Sequence, residues 1–224
     1  MELTAIKFCG ITRPEDALLA AELGATYVGM VFAGGPRNLD PTAARVIAAA
    51  LEGTGVRRVA VLDASRADSL FKVTDLVRWL PVEVLQLHGS FDPTLIELVR
   101  SRTELEVWAA INVVPSELPT AIERMAVMAD AILLDAKAHG RLGGSGKRFD
   151  WEAVAAVLQR GARPRRLVVA GGLDPDNVGA AIGLLSPDVV DVSSGVEQSP
   201  GIKDGELMKK FVAAVYRAGA GSGR

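Results

Sequence analysis

Short apolar runs rich in β-branched residues alternate with longer Ala- and Leu-rich segments at helical spacing, from one end of the chain to the other. The runs predict strands over Thr4–Phe8, Thr26–Phe32, Arg57–Leu62, Val84–Leu87, Leu105–Ile111, Ala131–Leu134, Leu167–Ala170 and Val189–Val192. Several are apolar at every position, as strands covered on both faces are. The segments between them predict helices over Pro14–Leu23, Thr42–Leu51, Ala67–Leu80, Asp92–Ser101, Ser116–Met128, Trp151–Gln159, Pro175–Leu185 and Gly205–Ala218.

Helix punctuation agrees with this segmentation. Thr12-Arg13-Pro14-Glu15 sets a capping hydroxyl ahead of a first-turn proline and an acid, and Asp40-Pro41 and Asp174-Pro175 repeat the start signal. Gly24 stands where the first helix would stop. Eight strands, each followed by a helix and with no Pro/Ser-rich linker, predict one α/β domain: a closed (β/α)8 TIM barrel over residues 1–218, followed by a flexible tail over 219–224. A doubly wound open sheet is the alternative architecture. The 224 residues fall short of the roughly 250 typical of such barrels. The loops are therefore short, and only the segments after the second and sixth strands leave room for substantial ones.

Two small-residue turns close the last two strands. Leu167-Val168-Val169-Ala170 runs into Gly171-Gly172-Leu173, and Val189-Val190-Asp191-Val192 into Ser193-Ser194-Gly195. Glycine lets the backbone approach a ligand and lets amide N–H groups converge on an anion. On neighbouring parallel strands these turns predict a phosphate cup formed by Gly171, Gly172, Ser194 and Gly195, at the position where many (β/α)8 barrels bind phosphate.

The bulk properties narrow the function. With 49% apolar and 23% charged residues and a formal net charge of −2, the chain reads as globular and lacks the basic surplus that nucleic-acid binding needs. No apolar run is long enough to span a bilayer, and Met1-Glu2-Leu3 lacks the basic start of a signal peptide, so no membrane partner is expected. The single cysteine allows no internal disulfide, which makes a cytoplasmic enzyme the default reading. One cysteine and two histidines also argue against a zinc site.

In a barrel the chemistry gathers where strands end. Those positions carry Cys9, Arg37, Asp63, His88, Asn112, Asp135, Gly171-Gly172 and Ser193-Ser194-Gly195. Cys9 is either a small buried hydrophobe or, beside a helix start and a cation, a reactive thiol. Asp135 is either a loop cap or the acidic half of an acid–base pair facing that thiol across the mouth. His88, in Gln86-Leu87-His88-Gly89, reads as structural or substrate-binding, and Asp63 as a turn residue. Lys137 and His139 read as solvated. Gly143-Gly144-Ser145-Gly146-Lys147 superficially suggests a nucleotide P-loop, but Arg141 replaces the first glycine and Arg148 the magnesium-binding Ser or Thr. A mobile loop closing over substrate suits it better. Asp191 reads as a residue that orders the last turn.

Taken together, Lys7-Phe8-Cys9-Gly10-Ile11-Thr12, Gln86-Leu87-His88-Gly89, Leu133-Leu134-Asp135, the 143–151 block, Ala170-Gly171-Gly172-Leu173 with Pro175 and Asn177-Val178, and Asp191 through Asp204 resemble the phosphoribosylanthranilate isomerase family. The blocks run in the family's order over most of the chain. Phe8 stands where isoleucine is usual, and Gly34-Gly35-Pro36-Arg37 replaces a Ser-Pro-Arg loop, which loses a hydroxyl. The resemblance implies an Amadori rearrangement of tryptophan biosynthesis, from N-(5-phosphoribosyl)anthranilate to 1-(2-carboxyphenylamino)-1-deoxyribulose 5-phosphate, with no metal or organic cofactor. It implies Asp135 as general acid and Cys9 as general base, which requires a protonated carboxyl beside a thiolate, their pKa values pushed in opposite directions. Arg37 is the candidate for the anthranilate carboxylate, with a surface ion pair as its other reading. Two alternatives remain: a related aminal isomerase of histidine biosynthesis, which uses two aspartates where this chain has Cys9, and a non-catalytic phosphate-ligand sensor. A monomer and a homodimer both fit the sequence.

Overall fold

Eight strands form a closed parallel barrel in sequence order: β1 (Ala5–Cys9), β2 (Tyr27–Val31), β3 (Arg57–Asp63), β4 (Val84–His88), β5 (Glu106–Asn112), β6 (Ala131–Asp135), β7 (Leu167–Val169) and β8 (Val189–Val192). The computed structural model describes residues 3–65, 75–76, 78–114, 116–136, 149–161 and 163–221. Register is continuous around the ring: β1 pairs with β2 through Lys7 and Tyr27, and β8 closes it through Asp191 and Lys7. That closure rules out the open doubly wound sheet.

Among the described residues, seven helices with given bounds pack outside: α1 (Pro14–Glu22), α2 (Pro41–Ala50), α3 (Thr94–Arg100), α4 (Leu118–Ala126), α5 (Trp151–Gln159), α6 (Val178–Leu185) and α7 (Gly205–Gly221). Of the helix expected over Ala67–Leu80, residues 75–76 and 78–79 are described and are helical; 66–74 and 77 lie outside the described residues.

Strand periodicity divides the apolar residues into two cores. On β1, Ile6 and Phe8 face the helices, and the Phe8 ring lies 6.2 Å from that of Phe211 on α7, so the phenylalanine has a partner of matching size. Ala5 and Cys9 face the barrel interior with Tyr27, Val59, Val61, Val84, Trp108, Leu133, Val168 and Val189. Tyr27 and Trp108 meet edge to face at 4.9 Å and plug the lower barrel. Beneath them Glu106 accepts from Trp108 Nε1 at 2.7 Å and pairs with Arg57 at 2.6 Å and with Arg166. The barrel interior is a packed core, with the cleft that Cys9, His88 and Asp135 line at the C-terminal ends of its strands.

Several local expectations change. Asp40 caps α2 as predicted, accepting from Thr42 N at 2.8 Å and Ala43 N at 2.9 Å. Thr12 does not cap α1: its hydroxyl donates to the carbonyl of Gly201 and Arg13 takes the cap position without a side-chain bond. Asp174 accepts from Asp176 N and Asn177 N, both at 2.9 Å, and holds a turn, so α6 starts at Val178 rather than Pro175. Helix α7 runs on to Gly221, through part of the expected tail, with Gly219 lying under the Leu3 side chain.

The largest departure follows β8. There a single 3-10 turn, Ser194–Val196, leads into an antiparallel pair, β9 (Glu197–Ser199) and β10 (Ile202–Lys203). Substantial loops are thus not confined to the segments after β2 and β6. Asp40→Ala is expected to lower unfolding free energy by about 1 kcal/mol, the usual value of an N-cap, with an unchanged urea m-value. An unchanged urea midpoint would show that the cap contributes nothing to stability.

Candidate active site

The strand ends that carry the chemistry converge. Cys9 from β1, His88 from β4, Asp135 from β6, Arg37 from the loop after β2, Gly171 and Gly172 after β7, and Ser194 after β8 all line one cleft of about 780 Å³. Gly195 does not line it. A Cβ there would sit 2.0 Å from the carbonyl oxygen of Leu173, so its glycine lets the last two loops pack backbone to backbone.

The Asp135 carboxyl lies well above the usual carboxylate range. Burial, and then the neighbouring Asp191 carboxylate, push it up to about 7, against the Ala136 amide and Lys7, which lower it. Gly171 (φ +81°) makes this possible, because a Cβ there would meet Ala136 N at 2.4 Å and Asp135 Oδ1 at 2.7 Å.

Cys9 departs from expectation. Burial pushes its thiol up, and Asp191 adds to this; Lys7 and Lys203 lower it without overcoming the burial. Carboxyl and thiol are therefore both shifted upward, not apart. Cys9 is half-buried at the strand end, and Lys7 is already committed to another anion, Asp191 Oδ2, at 2.7 Å.

His88 is held neutral. Burial and then Lys7 bring it down to about 4, against Asp63, and the Gln86 side-chain amide donates to its Nε2. Gln86 and Asp191 also line the cleft, and each keeps one buried oxygen, Gln86 Oε1 and Asp191 Oδ1, without a protein donor. Asp63 holds its turn, accepting from Ser65 N at 3.0 Å and Ser65 Oγ at 2.5 Å.

Arg37 forms an ion pair, and the pair is not a surface one. Its Nε donates to Glu197 Oε1 at 2.8 Å and its Nη2 to Oε2 at 2.6 Å, with the side chains 13% and 4% exposed. This geometry leaves Nη1 for a ligand. Gly10 makes room, since a Cβ there would sit 2.4 Å from Arg37 Cδ. Glu197 also accepts from Lys203 Nζ at 2.9 Å. The same ammonium donates to Cys9 O at 2.6 Å and Ser193 O at 3.1 Å, so one buried cation ties the loops after β1 and β8 together. Asp16 on α1 fixes the other side of β10, accepting from Lys203 N at 3.2 Å.

On the opposite wall Asn177 donates to Gly172 O at 2.9 Å and shapes the first glycine turn. Next to it the 3-10 turn at Ser194–Val196 presents its free N-terminal amides. In the loop after β2, Gly34 N donates to Asn38 Oδ1 at 2.8 Å, so a side chain closes the turn that lacks the usual serine.

Lys137, His139 and the 143–147 loop lie outside the described residues. Among the described residues no three His, Cys, Asp or Glu side chains converge as metal ligands, and no helix is long and apolar enough to cross a membrane. Sequence reasoning passed over Glu197, Lys203 and Gln86 as site residues. The first two had a signal: Pro200-Gly201, a strong turn pair, announces a fold-back just after the last strand.

Fold and site together place the chain among (β/α)8-barrel enzymes that handle an anionic small molecule. The model of the N-(5'-phosphoribosyl)anthranilate (PRA) isomerase family matches residues 6–214, and the chain belongs to that family. The isomerase of Geobacter sp. (strain M21) is 42% identical over 212 residues, covering 94% of this chain and 97% of that protein. The Thermotoga maritima enzyme has a crystal structure with a TM-score of 0.84 and 36% identity, covering 96% of this chain and 100% of that one. A phosphoribosyl anthranilate isomerase solved in complex with reduced 1-(o-carboxyphenylamino)-1-deoxyribulose 5-phosphate gives 0.81 and 34%, covering 96% and 100%.

The neutral His88 is directly observable. With His139→Gln leaving one imidazole, its NMR shifts are expected to stay at the neutral position from pH 8 down to about 5, given a pKa of about 4. A midpoint near 6.5, that of a free imidazole, would place the ring in water.

Proposed function

We propose that this cleft converts N-(5-phosphoribosyl)anthranilate to 1-(2-carboxyphenylamino)-1-deoxyribulose 5-phosphate, with Asp135 as general acid and Cys9 as general base. The observation that carries the reading is a buried carboxyl with a pKa of about 7 sharing a cavity with the chain's only thiol. Ring opening needs a proton on the furanose oxygen as its bond to C1 breaks, and a half-protonated Asp135 supplies it near neutral pH. The aminal nitrogen then becomes an iminium, which acidifies the C2 proton. The Cys9 thiolate removes that proton, and the resulting enolamine tautomerises to the ketone.

Around this centre the substrate's two anionic ends find separate partners. The phosphate sits on the turns of Gly171, Gly172 and Ser194, with the amide of Gly195 in the same 3-10 turn. The anthranilate carboxylate takes the open edge of Arg37, whose other edge Glu197 holds in place. His88, neutral and fixed by Gln86, contacts the substrate as a hydrogen-bonding group rather than as a cation. A cytoplasmic location fits a pathway enzyme of this kind.

The raised thiol has a kinetic consequence. The active form carries a proton on Asp135 and none on Cys9, although Asp135 is the stronger acid of the two. Below pH about 7 the acid stays protonated while the thiolate fraction climbs, so kcat/KM should rise about tenfold per unit. Above that pH the loss of the Asp135 proton offsets the gain in thiolate, and the profile should level off until the thiol is fully ionised. A maximum below pH 7 with an immediate fall would contradict this order of ionisation.

Cys9→Ala and Asp135→Asn should each lower turnover by at least about a hundredfold, read as loss of substrate anthranilate fluorescence. Near-wild-type rates in either variant would remove the mechanism. Replacing Gly172 with a bulky residue should mainly raise KM.

A further inference from the structure

Lys7 is a charged residue inside an otherwise apolar strand, and its side chain is 0% exposed. It faces the barrel interior one inward position below Cys9, in direct register with Asp191 on β8. Its ammonium donates to Asp191 Oδ2 at 2.7 Å. The missing Cβ of Gly29 marks where it meets the thiol: that point lies 2.8 Å from Cys9 Sγ and 3.2 Å from Lys7 Nζ. Sulfur and ammonium thus crowd the same small volume over the strand β2 backbone. Below them the buried Tyr27–Trp108 pair forms an apolar floor. A buried ion pair of this kind is a weak source of stability, since apolar groups of equal volume often serve the fold as well.

We propose that Lys7 is a positioning residue for the isomerisation, a buried ammonium held under the cavity floor by Asp191, whose charge stabilises the Cys9 thiolate and so sets how much competent base the site contains. This rests on the reading of Cys9 as the base. The groups that face Cys9 are Lys7 on its own strand, Asp191 on β8, Lys203 on β10 and Arg37 from the loop after β2, with Asp135 and His88 across the cavity. Lys203 and Arg37 are tied to Glu197, whereas Lys7 is the cation whose ammonium crowds the sulfur over Gly29. Two members of one ion pair therefore act on the thiol in opposite senses: Lys7 favours its ionised form and Asp191 opposes it.

That opposition makes the test decisive, because the chain has a single cysteine whose alkylation reports on Cys9 alone. The rate of iodoacetamide alkylation is measured against pH in the full chain, with kcat and KM alongside. Lys7→Met should slow alkylation at neutral pH at least about tenfold and shift its midpoint upward by about a unit or more. It should lower kcat by a similar factor and leave KM within about threefold. Asp191→Asn should shift the midpoint downward. The double variant, Lys7→Met with Asp191→Asn, leaves no unpaired buried charge; if Lys7→Met alone fails to fold, this variant carries the test, again with an upward midpoint. Opposite shifts from the two single variants would not follow from a merely structural role. An unchanged alkylation midpoint in both Lys7→Met and the double variant overturns the proposal whatever kcat does. A shifted midpoint with unchanged kcat instead overturns the assignment of Cys9 as base, and the catalytic role of Lys7 with it.

Discussion

A carboxyl group and a thiol share one cavity, and the proposed reaction requires the first to keep its proton and the second to lose one. Burial alone raises both pKa values, because it disfavours either anion. That suits Asp135 and works against Cys9. The difference between the two then has to come from placed charge. The Asp191 carboxylate opposes ionisation at both sites and the Lys7 ammonium favours it at both, but Lys7 sits against the thiol, the two crowding the same volume over Gly29. Closure of the barrel is what makes such placement possible. Strands β1 and β8 meet in register at Lys7 and Asp191, so a pair more than 180 residues apart in sequence is joined across the seam at a hydrogen-bonding distance of 2.7 Å.

Loops carry the rest of the site, and loops are mobile unless something fixes them. Here a second buried ammonium does so. Lys203 reaches the carbonyl of Cys9, the carbonyl of Ser193 and the carboxylate of Glu197, and Glu197 in turn orients Arg37. With all three donors used locally, Lys203 spends its charge on geometry, and Arg37 is left with an edge free for a ligand. The hairpin that carries Glu197 and Lys203 thus serves as a brace linking the first, second and eighth loops.

Most of the barrel was legible in the sequence because continuous apolar runs survive any tertiary context: all eight strands fall within a few residues of their expected bounds. Helix starts were read less well where a capping side chain had a distant partner. Thr12 looks like a cap locally, but its hydroxyl is claimed by Gly201, 189 residues away. Asp174 does cap, yet caps a turn three residues ahead of the helix. Cys9, Asp135, His88 and Arg37 could be found because barrel chemistry sits at strand ends. For Lys203 and Glu197 the signal was the Pro200-Gly201 turn alone, since charged residues after a last strand look solvated until the hairpin folds them under. The ionisation of Cys9 was misjudged for a related reason: a helix start and nearby cations are visible in sequence, whereas the depth of burial that outweighs them is not.

In the proposed reaction, the distribution of anchors around the ring is what lets the proton transfers proceed with few reacting groups. There the glycine turns after β7 and β8 take one end of the substrate and Arg37 after β2 the other, with Cys9 on β1 and Asp135 on β6 lining the same cleft. Binding energy gathered at the two charged ends can then fix the reacting carbons between thiol and carboxyl, in place of free diffusion into that arrangement. A substrate lacking its phosphate would forfeit that positioning and lose turnover as well as affinity. In such a site the glycines contribute by absence. A Cβ at Gly10, Gly29, Gly171 or Gly195 would collide with Arg37, with Cys9, with the Ala136 backbone and Asp135, or with the facing loop. The space left by four missing methyl groups is what allows Asp135, Cys9, Arg37 and the last two loops to converge.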